Sequence, residues 1–270
     1  MVYKTYIPHA LLKPYVNFFW LLEGTVPHCE AVREKILPDG CIELIIHYGD
    51  IFEAVNEKGF LETQPQVFVM GQIKRYFEVM PKGNMGVLGV RFKPGGLQAF
   101  TNMPALAFTG HAVGLEHIFG DEGRFVAEQT AAIGEAGKIN LVQTLLLKKL
   151  ACNYRYDFLI DGIIKKIIAQ KGQVQLGSLL KNIKISERHF ERQFKNTVGL
   201  NPKFFARLIR FNNIMRDART GSSSLVTLSY LGGYYDQAHF IKDFRQFTGE
   251  NPSEYFGNSN GLSSIFLNEQ

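Results

Sequence analysis

Two stretches of this 270-residue chain carry side chains suited to a polyanion, and they are copies of one pattern. Ser186-Glu187-Arg188-His189-Phe190-Glu191-Arg192-Gln193-Phe194-Lys195 continues to Gly199 and Asn201-Pro202. Fifty residues later, Asp236-Gln237-Ala238-His239-Phe240-Ile241-Lys242-Asp243-Phe244-Arg245 continues to Gly249 and Asn251-Pro252. The His, both Phe, the Gly, the Asn and the Pro are identical at matched places, while Arg192/Lys242 and Lys195/Arg245 keep their charge. Self-similarity at a fixed offset marks a repeated structural unit. Its polar residues are of types that can contact base edges: Arg and Lys can donate to guanine O6 and N7, Gln can pair with adenine, and Glu can accept from cytosine N4. A second group with chemical potential is His28, Cys29, Cys41 and His47, residue types that suit zinc. Their spacing matches no compact ligand motif, and Cys41 and His47 alternate with an apolar strand face. No Gly-x-x-x-x-Gly-Lys-Ser/Thr loop, Gly-x-Ser-x-Gly elbow or His-Glu-x-x-His pair is present to support catalysis. The expectation is therefore a protein that is not an enzyme and has no catalytic residues, metal or cofactor. A metal-binding or enzymatic N-terminal domain fused to a nucleic-acid-binding module is the alternative.

Each copy has the signals of a short capped helix. The side-chain oxygen of Ser186 or Asp236 can accept from a free N–H of the first turn. Phe190 and Phe194, like Phe240 and Phe244, lie four apart on one face, which Val198 or Thr248 continues. Gly199 or Gly249 suits the left-handed position past the helix end, and Pro202 or Pro252 suits the first turn of the next helix. Facing outward are Glu187, Arg188, Glu191, Arg192 and Lys195 in the first copy and Gln237, Ala238, Ile241, Lys242 and Arg245 in the second. Upstream of each copy lies a short apolar helix: Leu176, Leu179, Leu180 and Ile183 before Lys184-Ile185, and Leu225, Leu228, Ser229 and Leu231 before Gly232-Gly233-Tyr234-Tyr235. Helix, tight turn and basic helix make a helix-turn-helix, whose second helix enters a major groove. Pro202 to Arg219 reads as one long connecting helix, with Phe205, Leu208, Ile209 and Met215 inward and Arg207, Arg210 and Arg216 free outside.

Charge supports this placement. Residues 155–257 carry 16 Lys and Arg against 9 Asp and Glu, whereas residues 1–154 carry 14 against 15. Clustered cations bind phosphate by displacing counterions, so one half of the chain suits a polyanion and the other does not. The basic half alone would also suit RNA, or nucleic acid without sequence choice. Three widely spaced cysteines in a chain of this length read as reduced thiols. The early apolar run from Val16 to Leu22 falls far short of the roughly 20 residues of a membrane helix. The start also lacks the features of a secretory signal, so the expected setting is soluble and cytoplasmic, without a membrane partner.

The first half reads as strands. After Pro38-Asp39-Gly40, Ile42, Leu44 and Ile46 alternate with Cys41, Glu43, Ile45 and His47, as in a strand with one well-buried face. Val67 to Met70 and the alternating Leu88, Val90 and Phe92 complete a β-rich module expected over residues 36–92, which Pro94-Gly95-Gly96 ends. Short helices follow at Leu97 to Phe100, Leu115 to Phe119 and Arg124 to Ile133. Leu141, Val142, Leu145, Leu146 and Leu150 then mark a longer helix that packs on its own domain or, alternatively, forms a dimer seam.

The segment from about Phe158 to Phe256 resembles the DNA-binding domain of the AraC/XylS family of transcription regulators. The likeness rests on Ser-x-x-x-Phe-x-x-x-Phe from Ser186, the Gly-x-Asn-Pro after it, and the helix with Arg207 and Arg210. It rests further on Gly-Tyr-x-Asp-Gln-Ala-His-Phe from Gly233 and on Pro252-Ser253-Glu254-Tyr255. The resemblance implies an α+β chain: a β-rich domain with flanking helices over 1–154, an all-α domain of about seven helices with two helix-turn-helix units over 155–257, and a flexible tail over 258–270. It implies a sequence-specific regulator of double-stranded DNA whose recognition helices, 186–198 and 236–248, read successive major-groove turns. Arg188, Glu191 and Arg192 of the first and Gln237, Ala238 and Lys242 of the second would read bases. Ser186, Lys195, His239 and Arg245 would meet phosphate. Lys184 stands where the family often has Gly, and Leu180 and Ser229 where a small Ala is usual. The front half, with Pro38-Asp39-Gly40-Cys41 and Gly89 to Gly96, resembles a sensor-type domain found ahead of such modules. It implies a small-molecule effector or a homodimer, with no effector-binding residue assigned.

Overall fold

The computed structural model describes residues 1–27, 33–56, 59–130, 132–152, 157–180, 185–219 and 225–257. Strands among them are β1 (Val2–Tyr6), β2 (Val16–Val26), β3 (Glu34–Ile36), β4 (Glu43–His47), β5 (Glu53–Val55), β6 (Leu61–Thr63), β7 (Val67–Met70), β8 (Phe77–Met80), β9 (Gly83–Phe92) and β10 (Ala112–Gly114). They form two antiparallel sheets, one ordered β1-β2-β9-β4-β7-β10 and the other β3-β8-β5-β6. The large sheet is covered on both faces. On one, Phe19, Leu21, Leu44, Ile46, Leu88 and Val90 share a core with Val142 and Leu146. Those two belong to α3 (Glu135–Cys152), which follows α1 (Leu115–Phe119) and α2 (Asp121–Thr130). On the other face, Trp20, Leu22, Phe52 and Val87 form a smaller core. Successive strand residues point to opposite faces, so β4 sends Leu44 and Ile46 to the helices and Glu43, Ile45 and His47 to the other side.

The β-rich region is wider than residues 36–92, because β1, β2 and β10 lie outside that range. Val16 to Leu22, the longest early apolar run, is the start of β2, which pairs with β9 from Val16 opposite Phe92 to Val26 opposite Gly83. Burial on both faces removes the alternation by which a half-exposed strand is recognised. The remaining segments fell close to expectation: a 3-10 turn at Gly96–Ala99, and α1 and α2 near the expected bounds. The apolar face of α3 packs on its own domain.

The second half is helical: α4 (Phe158–Ala169), α5 (Leu176–Leu180), α6 (Glu187–Val198), α7 (Pro202–Arg219), α8 (Leu225–Leu231), α9 (Gln237–Thr248) and α10 (Pro252–Gly257). Asp157 caps α4 by accepting from Leu159 and Ile160 N–H, 3.1 Å each. The core is an aromatic stack: Phe194 meets Phe205, Phe211 meets both Phe244 and Phe247, and Phe244 meets Tyr255 edge-on. Such tilted and edge-to-face pairs add to area burial. Arg155 and Tyr154, either side of the expected 154/155 boundary, lie outside the described residues, as do Ile183, Lys184 and the tail 258–270.

Both helix-turn-helix halves rest against the β domain. Thr109 Oγ1 donates to Gly199 O at 2.8 Å. Gln72 Nε2 donates to Gly40 O at 2.7 Å, and Gly40, with φ +86°, lies so near α7 that a Cβ would sit 3.1 Å from the Phe205 ring. Lys35 pairs with Glu250 and lies 4.8 Å over the Tyr76 ring. Tyr76 in turn covers Gly249.

Candidate nucleic-acid interface and the cavity behind it

Helices α6 and α9, the two expected recognition helices, are built alike. Ser186 Oγ accepts from His189 N–H at 3.3 Å, and Asp236 Oδ1 accepts from His239 N–H at 2.7 Å. These caps satisfy N–H groups that the helix itself leaves unpaired. At the other ends Gly199 and Gly249 take φ +89° and +77°, and each N–H closes the last turn on Lys195 O or Arg245 O. Buried Phe190, Phe194 and Val198 anchor α6, and buried Phe240, Phe244, Phe247 and Thr248 anchor α9. The opposite faces are open: Arg188, Glu191, Arg192 and Lys195 on α6, and Gln237, Ala238, Lys242 and Arg245 on α9, are all exposed. Ser186 is exposed and His239 half-buried. Within this set, Arg192 Nη2 meets His189 Nδ1 at 3.1 Å, and the Arg245 guanidinium donates to the Asn251 side chain.

The connecting helix α7 buries Phe205, Leu208, Ile209 and Met215 as expected. Arg207 and Arg210 are not free outside, however. Arg207 donates to both carboxylate oxygens of Asp243, which has no exposed surface, and to Gln246 Oε1 at 2.9 Å. Tyr234 Oη adds a bond to Asp243 Oδ2 at 3.1 Å. That bonding to Asp243 raises the Arg207 pKa, and burial raises that of Tyr234. Arg210 donates to Gly172 O at 3.1 Å and Gly233 O at 3.2 Å and lies over the Tyr234 ring. These two arginines tie α7 to the second unit rather than serving a partner. A buried carboxylate is tolerated only when paired and hydrogen-bonded, as here. Tyr235, just before the Asp236 cap, is 93% exposed and joins the open face without having been expected there.

Among the residues considered for metal, Cys41 and His47 are described and His28 and Cys29 are not. Burial pushes the Cys41 thiol up to about 12 and the His47 imidazole down to about 4. Both are therefore neutral at pH 7, and no group of three or more His, Cys, Asp or Glu among the described residues is arranged to hold a metal. Instead, Cys41, Glu43 and His47 line a cavity of about 120 Å³ between the two sheets. Arg91, paired in register with Glu43 across β4 and β9, sits behind them. Its Nη1 donates to Glu43 Oε1 at 2.8 Å, and Nη2 lies 2.7 Å from Asp39 Oδ2. His47 Nε2–H donates to Gln64 Oε1 at 3.1 Å. Sequence reading placed Glu43 and His47 on one strand face but not this cavity, since Arg91 and Gln64 reach it from distant strands and loops.

A family model described as a helix-turn-helix domain matches residues 179–258, and one described as a domain of unknown function (DUF6597) matches residues 4–114. No curated protein matches the chain. Among solved structures it is similar to ToxT from Vibrio cholerae in its P21 form, at 9% identity and TM-score 0.47, covering 95% of this chain and 98% of that one. It is similar to ToxT from Vibrio cholerae O395 bound to (E)-4-(8-methylnaphthalen-1-yl)but-3-enoic acid, at 10% identity and TM-score 0.46, covering 95% and 99%. It is also similar to the AraC-like transcriptional activator CuxR, at 12% identity and TM-score 0.29, covering 80% and 82%. With two capped helices repeated fifty residues apart and the helix-turn-helix match lying over them, the chain carries an AraC-type helix-turn-helix domain at its C-terminal end, preceded by a domain of unknown function.

Proposed function

We propose that the chain reads one DNA site with two recognition helices, α6 through Arg188, Glu191 and Arg192 and α9 through Gln237, Ala238 and Lys242. Ser186, Lys195, His239 and Arg245 hold the flanking phosphates, and α7 sets the two helices for successive major-groove turns. The domains divide near 154/155. The observation that carries this reading is the matched pair of helices: same caps, same buried Phe spacing, opposite faces exposed and polar. Arg207 and Arg210 support it further, because they fix α7 to the second unit.

A small molecule in the β domain controls this reading. The walls of the cavity include Ile36, Asp39, Gly71 and Ile73, and the same short segments touch the DNA-binding domain through Lys35, Gly40, Gln72 and Tyr76. A ligand that moves these segments acts on Gly199 and Gly249, the glycines that cap the ends of both recognition helices. Control through dimerisation on α3 is disfavoured because its apolar face is already covered.

Arg192→Ala and Lys242→Ala should each weaken binding to a selected site by about 1–3 kcal/mol and relax base preference, whereas Lys195→Ala should weaken all sequences alike. Titrations at one fixed salt concentration, on selected and on random duplexes, check this. Equal losses on both duplexes for the first two variants would contradict base reading.

A further inference from the structure

The cavity between the sheets is lined by the acceptors Asp39, Glu43, Gln64 and His47, with Arg91 and the Cys41 thiol as the donors beside them. Arg91 keeps only 3% of its side-chain surface exposed, while its two partners Asp39 and Glu43 keep 19% and 18%. The guanidinium is therefore more deeply covered than the carboxylates, and an incoming molecule meets their oxygens first. Gln64 Oε1 can only accept, so the His47 proton sits on Nε2 and Nδ1 presents a lone pair. Nδ1 is buried and has no hydrogen-bond partner among the described residues. The rest of the wall is apolar, with Trp20, Phe52, Phe68, Phe77 and Val87 prominent.

Charge points the same way. Two carboxylates on one guanidinium leave one negative charge in surplus, and His47 is neutral and cannot offset it. Burial makes that surplus costly, which is why the Glu43 pKa is raised despite the pull of Arg91. A bound cation would remove the imbalance. A carboxylate would double it, since the one cation present is already engaged twice.

We infer that this cavity binds a small organic cation: a primary amine on an apolar body of about one ring, its ammonium on Asp39 and Glu43 and a donor near His47 Nδ1. The size follows from the volume. An apolar cavity of ~150 Å³ takes up one benzene, so 120 Å³ suits a body of that order. Aromatic walls suit such a cation further, because ring faces attract positive charge. This inference rests on the reading of the β domain as the effector-binding half and names the class of its ligand.

The test is thermal unfolding of the full chain with phenethylamine and hexylamine, beside the alcohols and carboxylates of matching shape. A ligand that binds only the folded state raises the melting temperature as its concentration rises. The amines should raise it by several degrees, the alcohols less and the carboxylates not at all. Glu43→Gln and Asp39→Asn, two independent variants in case one folds poorly, should each remove most of the amine effect. Val87→Phe, which fills the cavity, should abolish it. If the carboxylates raise the melting temperature and Val87→Phe abolishes that rise, the cavity is a ligand site of the opposite class and the inference is overturned. If no probe acts, or Val87→Phe changes nothing, the inference is overturned at this cavity. If the amines bind here yet leave DNA affinity unchanged, the ligand class stands and effector control falls.

Discussion

The carboxylate of Asp243 has no exposed surface, and Arg207 and Tyr234 from other segments hold it. Removing one member of a buried ion pair leaves the other charge uncompensated, at a cost of about 3–5 kcal/mol, whereas replacing both by apolar groups can cost little. Asp243→Ala should therefore lower stability by about 3 kcal/mol in urea titration, and the Asp243→Leu/Arg207→Leu double variant by clearly less. A double variant no more stable than the single would place the role of Asp243 outside this pair. His47 gives a pH signature. Its pKa falls from 6.5 to about 4 in the folded chain, chiefly through burial, with Gln64 acting against the shift and Phe52 and Phe68 packed around the ring. Between those values the unfolded chain takes up a proton that the folded chain refuses. The stability in question is thus complete above about pH 6.5 and is lost as pH falls through about 4, up to about 3 kcal/mol in all. Glu43, raised by burial, acts in the opposite sense, so the His47→Phe variant is the control. Wild type should lose more stability between pH 7 and pH 5 than His47→Phe; equal losses would contradict the assignment.

The recognition helices end on glycines that do two things. Gly249 takes φ +77°, where any L side chain is strained, and a Cβ there would lie 2.2 Å from the Tyr76 ring. Gly249→Ala should cost about 1 kcal/mol for the backbone and more for the clash. Adding Tyr76→Ala should recover the clash but not the backbone part, and full recovery or none in unfolding measurements would contradict this division. The helical half was readable in sequence because its signals are local and repeated: cap, Phe four apart, Gly, Asn-Pro. Even the bounds of α7, Pro202 to Arg219, followed from flanking residues. What escaped was non-local. Nothing in the spacing of Arg207 says that Asp243, thirty-six residues on, will bury itself against it. Likewise β2 looked like an undivided apolar run because both its faces are covered, and Arg91 reaches Glu43 across 48 residues of chain.

At the scale of the molecule, a sandwiched sheet carries a cavity on one face, and the segments around that cavity grip the trailing ends of both recognition helices. Gln72 lies against Gly199, Tyr76 covers Gly249, and Lys35 pairs with Glu250. The leading turns, with Arg188, Arg192, Gln237 and Lys242, stay open. On the proposed reading, this division would let one domain set the attitude of α6 and α9 without touching their exposed faces. The central claim, that both helices read one site, is tested most directly by selecting bound duplexes from a random pool with the full chain, then with Arg192→Ala and Lys242→Ala. The expected result is two short blocks of base preference about 10 base pairs apart, one blurred by Arg192→Ala and the other by Lys242→Ala. A single block, or both variants blurring the same block, would contradict it.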